Sequence, residues 1–99
     1  MVTTRTPLVM ARTTREYVHI PVPGSPDLTT PPEIAFKATQ GPPEDEDWHQ
    51  AEWHQGSARI LIGPGGDVTD LDEGQYRMWI RFTAGLERPE INAGLLHLT

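Results

Sequence analysis

The sequence predicts a single all-β domain built from two packed sheets. The clearest strand pattern covers residues 75–82, in which apolar and polar side chains alternate. The apolar members are Tyr76, Met78, Ile80 and Phe82. Because successive side chains of a strand point to opposite faces, this segment buries one face and exposes the other. Further alternating runs are separated by Pro- and Gly-rich turns, and none has the length of a helix, a combination typical of β-sandwiches.

Six strands are predicted, and a chain of 99 residues suits a sandwich of about six or seven. They cover residues 17–22, 33–39, 48–55, 57–62, 75–83 and 91–99. Pro21 and Pro23 place the first strand at a sheet edge, because proline has no N–H group to donate to a neighbour.

The third predicted strand contains two tryptophans and leaves their roles open. On a continuous strand Trp53 shares a face with Ala51, whereas Trp48 falls on the other face unless a bulge intervenes. One of the two tryptophans is expected to fill the core, as a buried tryptophan does in many sandwiches. A one-turn helix is the competing interpretation, since the spacing from Trp48 to Ala51 also fits a helix.

Two segments between the strands carry residues that occur in ligand sites. Residues 63–66 read Gly-Pro-Gly-Gly, but no lysine or helix follows as in a phosphate-binding loop, so a tight turn is predicted. Residues 44–47 are four consecutive acids, which could hold a weakly bound Ca²⁺. They lack the alternating ligand spacing of a calcium loop, and a solvated acidic loop is the favoured interpretation.

The first 15 residues differ in composition from the rest of the chain. They contain Arg5, Arg12 and Arg15 but no acid, and they precede the first strand signals. We interpret residues 1–15 as an extended basic arm and residues 16–99 as the sandwich domain. The arm is expected to be disordered in isolation and to order on a partner. The body carries all 14 acidic residues, and this opposite charge suits exchange of the arm between neighbouring copies. A floppy terminus is the alternative.

Charge and composition exclude several classes of function. A net charge of -6 argues against a nucleic-acid binder, which needs a basic surface. The absence of cysteine excludes a disulfide, a zinc–thiolate site and a cysteine nucleophile. No apolar run approaches the roughly 20 residues of a membrane-spanning helix. The N-terminus lacks the apolar core of a signal peptide, so a soluble protein made in the cytoplasm is expected.

The residue pattern predicts no catalytic, metal or cofactor site. His49 and His54 are five positions apart, which on one strand would direct the two imidazoles to opposite faces. Ser25 and Ser57 lie in turn-like segments without the elbow motif of a serine nucleophile. The expectation is a protein that is not an enzyme and has no cofactor or small-molecule substrate.

Trp79 is the most suggestive binding residue. It lies between Arg77 and Arg81 on the polar face of its strand, and tryptophan and arginine are enriched in the hot spots of protein interfaces. The predicted partner-binding residues are Arg5, Arg12, Arg15, Arg77, Trp79 and Arg81. The alternative is a tryptophan that lies flat on its own sheet beneath Arg77 or Arg81.

The residues around Tyr76 indicate a more specific fold. Asp72 and Gly74 lead into the strand, and Tyr76 is on its inward face. This arrangement resembles the tyrosine corner of immunoglobulin-like sandwiches, in which the tyrosine holds the turn that enters a late strand. The resemblance implies a small immunoglobulin-like β-sandwich with an extended N-terminal arm. Met78 stands where a true immunoglobulin domain has its second cysteine, so a sandwich without the disulfide is expected.

A second resemblance covers residues 16–99 and concerns function. Its motifs are a Trp-x-x-Ala-x-Trp segment (Trp48, Ala51, Trp53), the Gly-Pro-Gly-Gly turn, Gly-x-Tyr-x-x-Trp-Ile-Arg (Gly74, Tyr76, Trp79, Ile80, Arg81) and a last strand with Ala93 and Gly94. With these motifs the chain resembles small proteins encoded among the structural genes of tailed bacteriophages that infect actinobacteria. The resemblance implies a virion component, made in the host bacterial cytoplasm, that binds other virion proteins in many symmetric copies.

Several functions stay open at this point. The size of the chain and the lack of a receptor-binding region favour an accessory head protein, which would decorate or stabilise the capsid by binding the major capsid protein. A head–tail connector or a tail component is the alternative within the virion. A carbohydrate- or surface-binding module would use Trp48, Trp53 and Trp79 as stacking platforms. An enzyme or metal protein would need a cleft that joins His49 and His54 to the acidic run.

Overall fold

The computed structural model describes residues 8–99 and shows an all-β fold of two packed sheets over this range. The strands are β1 (Leu8–Met10), β2 (Glu16–Pro21), β3 (Glu33–Lys37), β4 (Trp48–Gln50), β5 (Glu52–His54), β6 (Ser57–Ile62), β7 (Gly74–Arg81) and β8 (Glu90–Leu98). One turn of 3-10 helix, Asp45–Asp47, precedes β4. The predicted all-β class is confirmed. No helix in the described range is long and apolar enough to span a membrane.

The two sheets differ in size. The larger has the strand order β1-β8-β7-β3-β4 and the smaller the order β2-β6-β5. Neighbouring strands are antiparallel, except that β1 runs parallel to β8. β7 occupies the centre of the larger sheet and pairs with β3 on one side and β8 on the other. The strand with the clearest alternation in the sequence is therefore the one that anchors the larger sheet.

The core lies between the sheets and is built from the alternating apolar residues. The larger sheet contributes Ile34, Phe36, Met78, Ile80, Leu96 and Leu98, and the smaller sheet contributes Val18, Ile20, Ala58, Ile60 and Ile62. Each fully buried aliphatic side chain stabilises the fold by roughly 1.5–3 kcal/mol relative to an exposed one. The alternation predicted for β2, β6 and β7 is confirmed by this pattern of burial.

The fold begins earlier than the sequence pattern indicates. Leu8–Met10 forms β1 along the last residues of β8, and Met10 is only 6% exposed in the core. The expectation that strands start after residue 15 is therefore wrong. A three-residue strand shows no readable alternation, and its partner lies at the other end of the chain. Residues 1–7 of the predicted arm, which include Arg5, lie outside the described residues.

The predicted third strand is two short strands in different sheets. β4 pairs with β3 in the larger sheet, β5 pairs with β6 in the smaller sheet, and the chain crosses between the sheets at Ala51. Ala51 is buried, and its N–H donates to the Pro32 carbonyl at 2.8 Å, which fixes the crossing. The expectation of one continuous strand, and of about six or seven strands in all, is wrong because residues 8–99 hold eight. Strands that switch sheets are a known way to make a sandwich corner.

The crossing also decides between the two tryptophans. The Trp53 ring packs against the core, 6.2 Å from the Phe82 ring in an edge-on arrangement, and its Nε1 donates to the Thr30 carbonyl at 3.0 Å. Trp48 is on the outer face of the larger sheet, beside Ala35. Trp53 is therefore the tryptophan of the core. The alternative of a helical turn from Trp48 onward is wrong, since Trp48 begins β4.

The hydrogen bond predicted for the tyrosine corner is present. The Tyr76 hydroxyl donates to the backbone carbonyl of Asp72 at 2.8 Å, and the ring packs against the core. Asp72 precedes β7, so this bond holds the turn that enters the central strand of the larger sheet.

Tyr76→Phe is expected to lower the free energy of unfolding by about 1 kcal/mol, because it removes this hydrogen bond and keeps the ring. Urea denaturation followed by tryptophan fluorescence measures the change. Tyr17→Phe is the matched control, since the Tyr17 ring is exposed on β2 and its hydroxyl makes no hydrogen bond within residues 8–99. Equal stability of Tyr76→Phe and the native protein would contradict the role given to the hydroxyl.

Residues 63–66 form the tight turn predicted for them. The Gly66 N–H donates to the Gly63 carbonyl at 3.0 Å, and Gly63 has a φ of +106°. The backbone of Thr14 passes so close that a Cβ added at Gly63 would collide with the Thr14 carbonyl oxygen. The Arg15 side chain lies against Gly65 in the same way. The turn therefore joins the end of the predicted arm to the body of the sandwich.

Candidate functional site

The outer face of the larger sheet brings together the candidate residues of β7. Arg77, Trp79 and Arg81 alternate with the buried residues of β7 and so point away from the core. The strand register places Ala35 beside Trp79, and Trp48 beside Ala35. A row of tryptophan, alanine and tryptophan therefore crosses three strands. We refer to the surface formed by Trp48, Trp79, Arg77 and Arg81 as the Trp–Arg face.

Ala35 is the floor of this row. It is fully buried although the alternation of β3 turns its side chain outward. Trp48 and Trp79, its neighbours on the adjoining strands, are both half-buried. The small side chain of Ala35 leaves room for the two indoles to close over it. The Trp–Arg face therefore has an apolar centre, where the alternation alone would place solvated residues.

Arg81 is held from two sides. Its Nε and Nη2 donate to the two oxygens of the Glu33 carboxylate, both at 3.0 Å. Its guanidinium carbon lies 4.5 Å from the centre of the Trp48 ring, within the range of a cation–π contact. Only 14% of the Arg81 side chain is exposed. One alternative from the sequence was that Arg77 or Arg81 stacks on Trp79. In the structure Arg81 stacks on Trp48 instead.

Glu33 is the anionic centre at this end of the face. Arg88 reaches it as well, with Nη2 at 2.6 Å from Glu33 Oε1. Hydrogen bonds from Arg81, and then the charges of Arg81 and Arg88, hold the pKa of Glu33 below its ordinary value of 4.5, against the opposing effect of partial burial. The hydrogen bond to Glu33 in turn raises the pKa of Arg81. Glu90 lies farther off, 3.9 Å from Arg81 Nη1.

Stability should therefore depend on the ionisation of Glu33. Its pKa is lower in the folded protein than in the unfolded chain, so its contribution is fully present above the unfolded value and is lost as pH falls through the folded value. We expect Glu33→Gln to be less stable than the native protein at neutral pH and to lose less stability between about pH 5 and pH 3. Thermal melts across this range measure both effects. Glu73→Gln, on an exposed residue, is the control, and parallel pH curves for Glu33→Gln and the native protein would refute the role of Glu33.

Cations gather at the opposite end of the face. Lys37 and Arg77 are directly paired in the β3–β7 ladder. Lys37 Nζ lies 3.0 Å from Asp47 Oδ2, and the same oxygen accepts the Glu44 N–H at 2.8 Å. These hydrogen bonds, the one from Glu44 foremost, lower the pKa of Asp47. One acid of the predicted acidic loop is therefore a cap on the 3-10 turn, whereas Arg77 makes no ion pair within residues 8–99.

Trp79 has a property that folding does not explain. Its Nε1 is closed off from solvent and has no hydrogen-bond acceptor within the described chain. A buried donor without a partner lowers stability by about 1–3 kcal/mol. Folded proteins satisfy nearly all such groups, so each exception calls for a reason outside simple packing.

The arginines of the predicted arm are not part of this face. Arg12 is exposed and its backbone N–H donates to the Thr99 carbonyl at 3.1 Å, at the end of β8. Arg15 lies beside Gly65, in the turn that follows β6. The structure thus separates Arg12 and Arg15, at one end of the sandwich, from Arg77, Trp79 and Arg81 on the outer sheet face.

The histidines lie on different parts of the fold. His49 is on β4, with its ring centre 6.4 Å from that of Phe36, while His54 is on β5, 6.1 Å from the ring of His19. His49 and His54 therefore belong to different sheets. Over residues 8–99 there is no group of three or more side chains placed to ligate one metal ion.

Four residues of the site were missed by the sequence pattern: Glu33, Ala35, Lys37 and Trp48. The alternation in β3 does direct Glu33, Ala35 and Lys37 to one face once Ile34 is taken as buried. Their proximity to Trp79 depends on the register between β3 and β7, which are far apart in the chain. Only the β7 part of the face is local enough in sequence to be found without a structure.

No protein-family model, curated protein or solved structure gives a significant match to this chain.

Proposed function

We propose that this protein is a non-enzymatic structural subunit of a tailed-phage virion, and specifically an accessory head protein that decorates or stabilises the capsid. It docks on neighbouring virion subunits through the Trp–Arg face and through its N-terminal part, residues 1–7 together with the exposed Arg12 and Arg15. The observation that carries the docking role is the buried, unpaired Nε1 of Trp79 at the centre of an outward face. Trp79 lowers the stability of the fold through this unpaired donor and lies between Arg77 and Arg81. Tryptophan and arginine are the residue types enriched in interface hot spots.

The fold part of this proposal is an immunoglobulin-like sandwich. The Tyr76–Asp72 hydrogen bond supports it, since it is the bond that defines a tyrosine corner. The strand order supports it as well. β3, β7 and β8 are neighbours in the order of strands C, F and G, while β2, β6 and β5 follow the order B, E and D.

The phage part of the proposal rests on motifs whose places in the fold are now known. Trp48 and Trp79 form the centre of the Trp–Arg face, Ala51 is the crossing between the sheets, and Trp53 packs against the core. The Gly-Pro-Gly-Gly turn lies against the N-terminal segment. A protein with the same motifs would keep both the sandwich and the docking face, which is why the motifs support a shared role.

Co-sedimentation with phage particles tests the proposal. The purified chain is mixed with mature capsids, and separately with tails, of the phage that encodes it. We expect the native protein to sediment with capsids and Trp79→Ala to bind at least about 30-fold more weakly, the loss expected for a hot spot. Trp79→Phe separates an effect on binding from an effect on folding. It removes the unpaired donor, so it should not lower the melting temperature.

Two controls complete this experiment. Tyr17→Ala removes an exposed aromatic ring from the outer surface of the smaller sheet and should leave capsid binding unchanged. Deletion of residues 2–7 tests the arm and keeps β1, whereas deletion of residues 1–15 would remove Met10 from the core. Binding to tails alone would indicate a connector or tail component instead of a head protein. Binding to neither particle would refute the virion role.

A carbohydrate-binding module is the alternative outside the virion, and the geometry favours it less. Stacking on a sugar needs an open aromatic face. Trp53 packs against the core and Trp48 has Arg81 over its ring, so Trp79 is the remaining platform of the three. Tryptophan fluorescence is expected to stay constant in a titration with glycans, and a saturable change abolished by Trp79→Ala would favour this alternative.

A further inference from the structure

We infer that the subunit occupying the Trp–Arg face is a second copy of this chain, related to the first by a two-fold axis. This deepens the docking role proposed above and rests on the proposed function only for its setting in a virion. The inference depends on the charges along the face, on its area and on the position of its apolar centre.

Two copies can approach each other on this face without strong repulsion. The whole chain has a net charge of -6, so most of its surface repels another copy. The outward positions of β3, β7 and β8 instead carry three cations and two carboxylates. They are Lys37, Arg77, Arg81, Glu33 and Glu90. Asp47 is paired with Lys37, so the charges on this face nearly balance and a second copy meets no net charge here.

The charges are also arranged so that the face complements itself. Glu90 pairs with Arg81 at one end of the β7–β8 ladder, and Arg77 lies four residues earlier on β7, with Trp79 between them. A two-fold interface is isologous, so each copy presents the same patch to the other. A two-fold axis that lies in the interface near Trp79 exchanges the two ends, and it brings Arg77 of one copy to the end of the other copy at which Glu90 lies beside Arg81.

Both members of this pair are available. Arg77 has no ion pair of its own within residues 8–99. Glu90 is 43% exposed, and its contact with Arg81 is 3.9 Å, longer than a hydrogen bond. Glu33, by contrast, is already held by Arg81 and Arg88. Glu90 is therefore held more loosely than Glu33 and is the carboxylate of the two that can turn towards an arginine of another copy.

The dimensions of the face suit a dimer. The 28 residues of its five strands, at about 3.4 Å along each strand and about 4.8 Å between strands, span a flat area of roughly 460 Å². Standard interfaces bury about 800 Å² of accessible surface on each partner, and accessible surface exceeds flat area. Trp79 lies on the central strand, Trp48 on the edge strand β4, and the charged pairs lie towards the two ends of the strands. An apolar centre with a polar rim is the usual layout of an interface.

Sedimentation velocity of charge-swapped variants tests this interface. The native chain is expected to form a concentration-dependent dimer, and Arg77→Glu and Glu90→Arg are each expected to raise the dimer dissociation constant at least about tenfold. An equimolar mixture of the two single variants should dimerise again, because each opposite-charge pair is restored across the interface. The double variant R77E/E90R should dimerise by itself. Thr69→Glu, which adds the same charge at an exposed position off the face, should behave as the native chain.

A native chain that stays monomeric at the highest soluble concentration would overturn the inference. A dimer that is unaffected by the single substitutions, or not restored in the mixture, would also overturn it. These outcomes are separate from the fate of the proposed function. A monomer whose capsid binding needs Trp79 would leave the virion role intact, whereas a charge-swappable dimer that binds no particle would refute the virion role and keep the dimer.

Discussion

Gly63→Ala is expected to lower the free energy of unfolding by about 3 kcal/mol, among the largest effects of any single-atom addition to this chain. Two penalties combine at this position. Gly63 has a φ of +106°, where a residue with a Cβ is strained, and the added carbon would collide with the carbonyl oxygen of Thr14. The obstacle is backbone and cannot rotate away, so residues near Thr14 would have to leave the turn.

Gly24→Ala isolates the first penalty, the backbone strain. Gly24 also has a positive φ, of +89°, but no atom lies within 4 Å of its added Cβ. Its expected loss is about 1–2 kcal/mol, from backbone strain alone. Urea denaturation of both variants gives the difference directly. Equal losses would mean that the contact between the turn and Thr14 contributes nothing to stability, and the role of the turn in holding the N-terminal segment would have to be abandoned.

This prediction reaches beyond stability because of what the turn holds. Residues 8–15 contain β1 and the exposed Arg12, and they are tied to the body by β8 and by the turn at Gly63. If Gly63→Ala releases this segment, it should also weaken any function of the arm. If the Gly63→Ala protein keeps its melting temperature but no longer binds capsids, the turn serves to position the arm for binding.

The sequence predicted the parts of this fold that depend on local pattern. β2, β6 and β7 alternate with a period of two, and the hydrogen bond from Tyr76 to Asp72 lies within five residues of chain, so neither depends on a partner strand. The turn at residues 63–66 is equally local, since glycine and proline specify it.

The features that the sequence did not predict are those set by contacts between distant segments. β1 is recognisable only through its pairing with β8, at the opposite end of the chain. The crossing at Ala51 depends on a hydrogen bond to Pro32 and on which sheet each side of the crossing joins. The stacking of Arg81 on Trp48 requires two strands that meet only through β3. Periodicity assigns a residue to a face but does not give its neighbours.

The different roles of Trp48 and Trp53 show most clearly that periodicity does not give a residue its neighbours. They also lead to the second prediction with a large expected effect. Trp53→Ala is expected to lower the free energy of unfolding by about 2.5 kcal/mol, somewhat below the range for a fully buried tryptophan because this ring is partly exposed. The substitution removes the edge-on contact with Phe82 and the hydrogen bond to Thr30. Thr30 belongs to the connection between β2 and β3, so the loss should also loosen that connection.

Matched variants assign the Trp53 effect to its causes. Trp53→Phe keeps most of the packing and loses only the Nε1–Thr30 bond, so about 1 kcal/mol is expected. Trp48→Ala should also remove about 1 kcal/mol, because that ring lies on the outer face and its main partner is the Arg81 guanidinium. Denaturant titrations of the three variants, followed by far-UV circular dichroism, rank them. A larger loss of unfolding free energy for Trp48→Ala than for Trp53→Ala would contradict the assignment of Trp53 to the core and Trp48 to the outer face. The tryptophan that supports the core must be the one whose removal leaves a cavity beside Phe82.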